Sequence, residues 1–141
     1  MISTGRQIAL WVYEQLGACA QEGAQGIGLS FGNGLQAAVC YDNYTKRAIT
    51  AHIVVKRMTP QFLATIFDYP FRQLGVEKII APIVQTNERS IRLVKKMGFT
   101  REATLSDAHP DGDLYLYSLK RSECRFTGER YGFKVRSAAG T

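Results

Sequence analysis

The sequence lacks the features that mark membrane, secreted or metal-binding proteins. No apolar run approaches the roughly 20 residues that span a bilayer, and the run at residues 8–13 is too short for the core of a signal peptide. The three cysteines, Cys19, Cys40 and Cys124, are odd in number and have no paired spacing, which argues against a disulfide framework or a zinc site. We therefore expect a cytoplasmic protein without a membrane association or a metal.

Acidic residues are also few, with 12 Asp and Glu against 18 Lys and Arg, which gives a formal net charge of +6. A positive surface favours an anionic partner, and nucleic acid, a membrane surface or a phosphate-rich cofactor would each provide one. Nucleic-acid binding would be better supported by basic residues interleaved with exposed aromatics, and the sequence has no such motif. Nucleic acid is therefore not the expected partner.

The length and composition are those of one globular domain. The chain has 141 residues, of which 45% are hydrophobic and 21% charged, so it can bury a core without disulfides. We place this domain at residues 1–127. Residues 128–141 contain few apolar side chains and are expected to form a flexible C-terminal tail.

The first half of the chain predicts a helix followed by an antiparallel meander. Apolar residues recur at intervals of three and four over residues 4–21, as on the buried face of a helix. Short β-favouring runs separated by hairpin-type turns follow at residues 27–31, 35–41 and 48–55. The last run is the most hydrophobic, so we expect it near the centre of the sheet.

The second half predicts a helix, a strand, a second helix and a closing hairpin. Thr59 caps the first of these helices and Pro60 opens it, while Pro70 within it predicts a kink or a break. Three further strands are expected at residues 78–84, 99–105 and 114–119. The whole order predicts an α+β fold with one βαβ unit.

The helix between the strands at 78–84 and 99–105 has the clearest boundaries. Asn87 is a favourable N-cap, Glu88 suits the positive first turn, and Gly98 marks the C-terminal end. Ser90 stands three residues after the cap, and Phe99 follows the terminal glycine. This segment therefore combines a defined helix with residues at fixed spacing that could line a site.

The spacing of Asn87 and Ser90, then Gly98-Phe99, then Glu102 resembles the second half of the coenzyme A site in the GNAT acetyltransferases. The resemblance covers residues 49–125 and looks closest to the branch of ribosomal-protein N-terminal acetyltransferases and related small acyltransferases of bacteria and phages. It implies a mixed, mostly antiparallel sheet flanked by helices, with a cofactor cleft between two splayed strands. It also implies transfer of acetyl from acetyl-coenzyme A to a primary amine, either a protein N-terminus or a small amine. No motif in the sequence identifies the acceptor, and the formation of a homodimer is left open.

The resemblance implies that the pantetheine arm of the cofactor lies along residues 49–55 and that its pyrophosphate sits at the start of the following helix. The residues assigned to the cofactor are Ile53, Val54, Val55, Lys56, Arg57, Thr59, Gln61, Asn87, Arg89, Ser90 and Arg92. The turn departs from the family because its glycine pair is absent, and no glycine lies between Val55 and Gly75. Binding through the remaining amides with Lys56 and Arg57, weak binding, and a non-catalytic binding module with the same fold all stay open.

Direct attack of an amine on a thioester is helped by a general base, and an imidazole titrates near neutral pH. His52, on the strand expected to form one wall of the cleft, is therefore the preferred base, although a hydrogen-bonded core histidine is the alternative. Glu102 and the acidic loop at residues 109–113, with His109, are other candidates. The resemblance implies that Ser90 protonates the departing thiolate, because Val94 stands where many relatives carry a tyrosine acid.

Overall fold

The computed structural model describes residues 1–32 and 34–127, and residues 128–141 with their predicted tail lie outside this range. The strands are β1 (Ile2–Gly5), β2 (Gln25–Phe31), β3 (Gly34–Asp42), β4 (Ala48–Val55), β5 (Lys78–Val84), β6 (Thr100–His109) and β7 (Gly112–Lys120). The α-helices are α1 (Arg6–Leu16), α2 (Pro60–Asp68) and α3 (Glu88–Lys96). The strands form one sheet in the order β1-β2-β3-β4-β5-β7-β6, which confirms the α+β fold and the central place of β4.

Helix α1 covers one face of the sheet over β2, β3 and β4. Its buried residues Ile8, Ala9, Val12 and Tyr13 form a small core with Ala38 and Cys40 of β3. The helix lies unusually close to β2, because a Cβ at Gly26 would come within 2.5 Å of the Ala9 nitrogen. Glycine at this strand position thus allows helix and sheet to pack in direct backbone contact.

Helices α2 and α3 cover the opposite face, where the larger core contains three phenylalanines of the α2 region together with Val94 and Met97. The α-helix ends at Asp68 and continues as a π-helical segment (Tyr69–Gln73), which confirms the break predicted at Pro70. Pro70 has no N–H to donate to the carbonyl of Ile66. That carbonyl instead accepts a hydrogen bond of 2.5 Å from the Tyr41 hydroxyl. A residue of β3 therefore satisfies the acceptor that the proline leaves open.

The prediction of the first helix was wrong at both ends. It was expected over residues 4–21, but α1 covers only Arg6–Leu16. Residues 2–5 instead pair with β2 as an additional edge strand that the pattern did not indicate. The helix stops because Gly17 adopts a left-handed conformation with φ of 65°. Cys19 beyond this stop is exposed, whereas Cys40 is buried, and both are free thiols.

The closing hairpin is longer than predicted. Strands β6 and β7 extend until only Pro110 and Asp111 remain as the turn, so the expected loop at 109–113 is mostly strand. Gln85 holds the tip of this hairpin, because its backbone N–H donates to the Asp113 carbonyl at 2.9 Å and its side-chain Oε1 accepts from the Asp113 N–H at 2.7 Å. The hairpin tip is therefore fixed beside the connection from β5 to α3.

The central strands β4 and β5 are parallel and separate part of the way along. They pair over three positions, from Ala48 opposite Lys78 to Thr50 opposite Ile80, and the pairing ends there. Each continues on its outer side, β4 with β3 and β5 with β7. The two strands consequently diverge and leave a cleft in the middle of the sheet. This agrees with the cleft between two splayed strands that the resemblance implied.

Candidate active site

The cleft between the diverging halves of β4 and β5 has a volume of about 220 Å³. Its walls come from these two strands, the start of α3, the end of α1 and the β6–β7 hairpin. In the described part of the chain, four polar side chains line it among apolar neighbours: His52, Asn87, Ser90 and His109. The structure thus brings together the preferred base from β4 with the N-cap asparagine and the serine from the start of α3.

The open edge of β4 offers backbone groups to the cleft. The N–H of Lys56 donates to the Gln36 carbonyl of β3 at 2.7 Å, so by alternation the backbone groups of Val54 also point to β3. Those of Ile53 and Val55 then point to the side that β5 has left. In agreement, the Val55 carbonyl accepts a hydrogen bond of 2.7 Å from Arg89, which reaches it from α3.

His52 is held by a buried carboxylate. Its Nε2 lies 3.0 Å from Oδ2 of Asp42, whose side chain is only 4% exposed. The hydroxyl of Tyr13, which α1 places over the sheet, donates to the same oxygen. Burial alone would raise the pKa of Asp42, but the hydrogen bonds from His52 and Tyr13 outweigh it and leave this pKa lowered. Burial, followed by the bond to Asp42, raises the pKa of Tyr13 far above its usual value.

The start of α3 places Asn87 and Ser90 on the other side of the cleft. The Asn87 side chain accepts from the Ser90 backbone N–H at 3.2 Å, which confirms the predicted N-cap. The Ser90 side chain lines the cleft. Val94, one turn further on, is buried in the main core, so this position supplies no acid.

His109 enters the cleft from the tip of the β6–β7 hairpin. Its Nδ1 accepts a hydrogen bond of 3.0 Å from the Asp111 backbone N–H and lies 3.9 Å from the Asp111 carboxylate. In its neutral form the ring therefore carries its proton on Nε2. His109 can donate a hydrogen bond into the cleft, while its second nitrogen is already engaged.

Glu102 lies apart from these residues. Its carboxylate accepts from Lys78 Nζ at 2.8 Å and from the Ser118 hydroxyl at 2.6 Å, and it is exposed. The bond to Lys78 lowers the pKa of Glu102 most, with Ser118 contributing next. Lys78 begins β5 at the end where β4 and β5 are still paired. The structure therefore places Glu102 in a surface ion pair away from the cleft walls.

In the turn expected to bind pyrophosphate, four of the residues 56–62 have no free backbone N–H. The N–H groups of Lys56 and Arg57 both donate to the Gln36 carbonyl, at 2.7 and 3.0 Å. Thr59 caps α2 by accepting from the backbone of the third helical residue at 3.2 Å, and Pro60 has no N–H. Of the first three helical residues, Gln61 is the one that keeps an N–H free of these bonds.

Basic side chains surround this turn. Arg57 stacks over the Phe31 ring at 4.4 Å, and Arg89 spans the mouth of the cleft through its bond to the Val55 carbonyl. Arg92 lies 3.9 Å from Glu88 in an exposed pair one helical turn apart, a contact that contributes little to stability. The positive charge at the mouth is therefore carried by exposed side chains rather than by a glycine-rich backbone.

Two residues of the site escaped the sequence analysis. Asp42 was interpreted as part of a turn, and Tyr13 was given no role beyond its place within the first predicted helix. Their contact with His52 depends on the register of β3 against β4 and on the packing of α1, neither of which local sequence reveals. The one available signal was an acidic residue directly after a strongly apolar run.

The described residues contain no cluster of three or more His, Cys, Asp or Glu side chains suited to a metal ion. In the same range, none of the helices has the length and apolar character needed to cross a membrane.

The comparisons with known proteins agree with this architecture. A family model described as the acetyltransferase (GNAT) domain matches residues 12–115. The fold is similar to that of a mutant of spermidine N-acetyltransferase SpeG from Vibrio cholerae, with a TM-score of 0.60 and 18% identity over 79% of this chain and 73% of that one.

It is also similar to the Campylobacter jejuni N-acetyltransferase PseH in complex with acetyl coenzyme A, with a TM-score of 0.56 and 16% identity over 86% of this chain and 99% of that one. A GNAT-family acetyltransferase from Bacillus anthracis gives a TM-score of 0.59 and 20% identity over 81% and 73% of the two chains. None of the curated protein sequences matches the chain. The matched family model covers most of the chain, which therefore belongs to the GNAT acetyltransferase family.

Proposed function

We propose that the protein transfers an acetyl group from acetyl-coenzyme A to a primary amine. The observation that carries the proposal is the cleft in which His52 from β4, Asn87 and Ser90 from α3 converge on the opened edge of the central sheet. A strand edge with free N–H groups can hold an extended pantetheine arm, and the same cleft gives an amine access to the thioester.

On the donor side, the N–H groups of Ile53 and Val55 would pair with the pantetheine arm and stabilise the oxyanion of the tetrahedral intermediate. Asn87 would fix the arm near the thioester. The phosphates would be bound by Gln61 N–H with the side chains of Lys56, Arg57, Thr59, Arg89 and Arg92. Arg89 already lies at the mouth of the cleft, so it needs only to exchange a neutral carbonyl for a phosphate oxygen.

The chemistry follows from the placement of the two catalytic residues. His52 removes a proton from the attacking ammonium or amine, and the amine nitrogen forms a bond to the thioester carbonyl carbon. The carbon–sulfur bond then breaks, and Ser90 supplies a proton to the leaving thiolate. The His52 imidazolium releases its proton to solvent and the Ser90 hydroxyl regains one from solvent, so that both residues return to their starting states. Glu102 takes no part in this scheme and acts as the partner of Lys78.

The acceptor is proposed to carry a single amine. Among the described residues, the cleft walls include no carboxylate, and the acceptor side is formed by Leu16, Ala18, His109 and Leu114. A polyamine would find no carboxylate in the cleft walls for its second ammonium, because the exposed carboxylate of Asp111 lies beside His109 and outside those walls. A protein N-terminus or a small monoamine fits better, which agrees with the resemblance to the ribosomal-protein N-terminal acetyltransferase branch.

A non-catalytic binding module is the second candidate, and the occupied amides at Lys56 and Arg57 favour it. Calorimetry with coenzyme A and acetyl-coenzyme A, and release of free thiol with peptides, monoamines and spermidine, separate the two. We expect micromolar binding, weakened by Asn87→Ala, and thiol release with N-terminal peptides or monoamines. Binding without release on any acceptor would support the module, and absence of both would contradict both candidates.

A further inference from the structure

The geometry assigns to Asp42 and Tyr13 the role of positioning residues that make Nδ1 of His52 the proton-accepting atom. The inference deepens the proposed function and rests on it for the reaction. It concerns two residues that lie behind His52, on β3 and α1, and that do not line the cleft.

The first step is the protonation of the His52 ring. An ionised carboxylate offers only acceptors, so the contact of 3.0 Å between Asp42 Oδ2 and His52 Nε2 requires a hydrogen on Nε2. The Tyr13 hydroxyl donates its own hydrogen to the same oxygen, so the hydrogen in the contact between Asp42 and His52 must come from the His52 ring. The neutral ring is therefore left with a bare lone pair on Nδ1.

The second step is to show that Nδ1 of His52 is accessible from the cleft. Within residues 1–32 and 34–127, no buried side-chain nitrogen or oxygen lacks a hydrogen-bond partner. The one polar contact of the His52 ring in that range is through Nε2, so Nδ1 must be accessible to solvent. Since His52 is 16% exposed and lines the cleft, that accessible atom lies where an amine would enter.

The third step is the rigidity of the arrangement. Cys40 lies directly opposite His52 in the β3–β4 register, and Asp42 is two residues further along β3 on the same face. Such diagonal neighbours are held by the sheet itself. Tyr13 is 3% exposed, and its ring centre lies 5.8 Å from that of His52, so α1 packs over the pair.

A purely structural role is the competing explanation. A buried carboxylate with two hydrogen bonds is not an efficient source of stability, because an apolar pair of similar volume often serves as well. The hydroxyl of Tyr41, which precedes Asp42 on β3, provides a comparison with that of Tyr13. It is buried and bonded like that of Tyr13, but it points to the opposite face and bonds the Ile66 carbonyl.

Nitrogen-15 NMR of the imidazole rings tests the protonation state without any assumption about activity. The chain has two histidines, so a His109→Asn variant assigns the His52 signals. We expect the neutral His52 ring to carry its proton on Nε2. A proton on Nδ1 would overturn the inference even if the enzyme acetylates amines, whereas failure of thiol release in the wild type would overturn the proposed function and leave this result standing.

A double-mutant cycle tests the role in the reaction. Asp42→Asn removes the negative charge, and we expect it to lower kcat by at least about tenfold while leaving the KM for acetyl-coenzyme A unchanged. In a His52→Ala background the same substitution should have no further effect on kcat, because it acts only through the ring. Equal losses in both backgrounds would indicate a structural role and contradict the inference.

Tyr13→Phe and Tyr41→Phe form a matched pair. Each removes one buried, hydrogen-bonded hydroxyl, on opposite faces of the sheet, and should lower the melting temperature to a similar extent. We expect Tyr13→Phe to lower kcat as well, and Tyr41→Phe to leave it near the wild-type value. Unchanged kcat in Tyr13→Phe, or equal losses in both variants, would remove Tyr13 from the assignment.

Discussion

The two ends of the cleft are built differently. At the reaction end, defined by His52, Asn87 and Ser90, the His52 ring is held by a buried carboxylate and the Asn87 side chain by its role as a helix cap. At the phosphate end, defined by residues 56–61 and Arg89, half of the backbone amides are occupied or absent and the charge is carried by exposed side chains. The chemical groups are thus preorganised, while the groups that would bind the phosphates are not.

The affinity for a cofactor must therefore arise in large part from side chains at the phosphate end. Backbone amides at a helix start bind phosphate with little loss of side-chain entropy, whereas Lys and Arg side chains must be ordered on binding. An enzyme of this kind should bind coenzyme A with a strong dependence on salt. The proposed catalytic residues should be insensitive to the salt concentration, so the two ends can be perturbed separately.

The largest effect is expected at the reaction end. His52→Ala should lower kcat by about 10²- to 10⁴-fold, the usual contribution of a general base, with little change in the affinity for coenzyme A. Steady-state thiol release and calorimetry measure the two quantities. His109→Ala is the control, because it removes the other imidazole of the cleft, and its effect should be smaller. Equal losses in the two variants would contradict the assignment of His52.

The next effect concerns the phosphate end. Arg89→Ala should weaken coenzyme A binding by about tenfold, as expected for one charge-assisted hydrogen bond. S-acetylpantetheine, which lacks the pyrophosphate and the adenosine phosphate, should lose no affinity. Lys95→Ala removes the same charge from the last turn of α3 and is the control. A loss of affinity for the phosphate-free thioester would show that Arg89 shapes the cleft and does not bind phosphate.

A gain of affinity for coenzyme A is expected when a backbone N–H is restored at the phosphate end. Pro60→Ala restores an N–H to the first helical position, and one additional hydrogen bond should tighten coenzyme A binding by about two- to tenfold. Calorimetry with coenzyme A and with S-acetylpantetheine locates the change at the phosphates. Unaltered coenzyme A affinity would mean that the phosphates do not approach the start of α2.

The smallest effect at neutral pH appears only on acidification. Because the folded-state pKa of Asp42 is lowered, its ionised form stabilises the native protein above the usual aspartate pKa of about 4, and this contribution is lost as the pH falls through the folded-state value. Urea unfolding between pH 3 and 7 should show a steeper loss of stability in wild type than in Asp42→Asn. Parallel curves would contradict an ionised Asp42.

The elements with local signals were predictable from the sequence. The cap at Asn87, the helix start at Thr59 and Pro60, and the break at Pro70 are all present, because each depends on backbone chemistry within a few residues. Strand β1 was missed because four residues carry no periodicity, and it forms only by pairing with β2. The end of α1 was misplaced because an apolar stripe continued past Gly17.

The site was predictable only in the parts that lie on a single segment. Asn87 and Ser90 share one helical turn, so their spacing implied a common location. The contact of His52 with Asp42 depends on the strand register, and that of Asp42 with Tyr13 depends on helix packing across the sheet. Glu102 stood at a suggestive spacing, but the pairing of β6 with β7 directs it to Lys78.

The paired hydrogen bonds between Gln85 and Asp113 make the two walls of the cleft one mechanical unit. Gln85 lies two residues before Asn87, and Asp113 lies four residues after His109. The wall of the cleft that contains Asn87 and the wall that contains His109 are therefore held by the same pair of hydrogen bonds. A hairpin transplanted from a relative with another acceptor would need Gln85 or an equivalent residue to seat correctly. Changes of acceptor in this lineage should therefore alter the hairpin tip and residue 85 together.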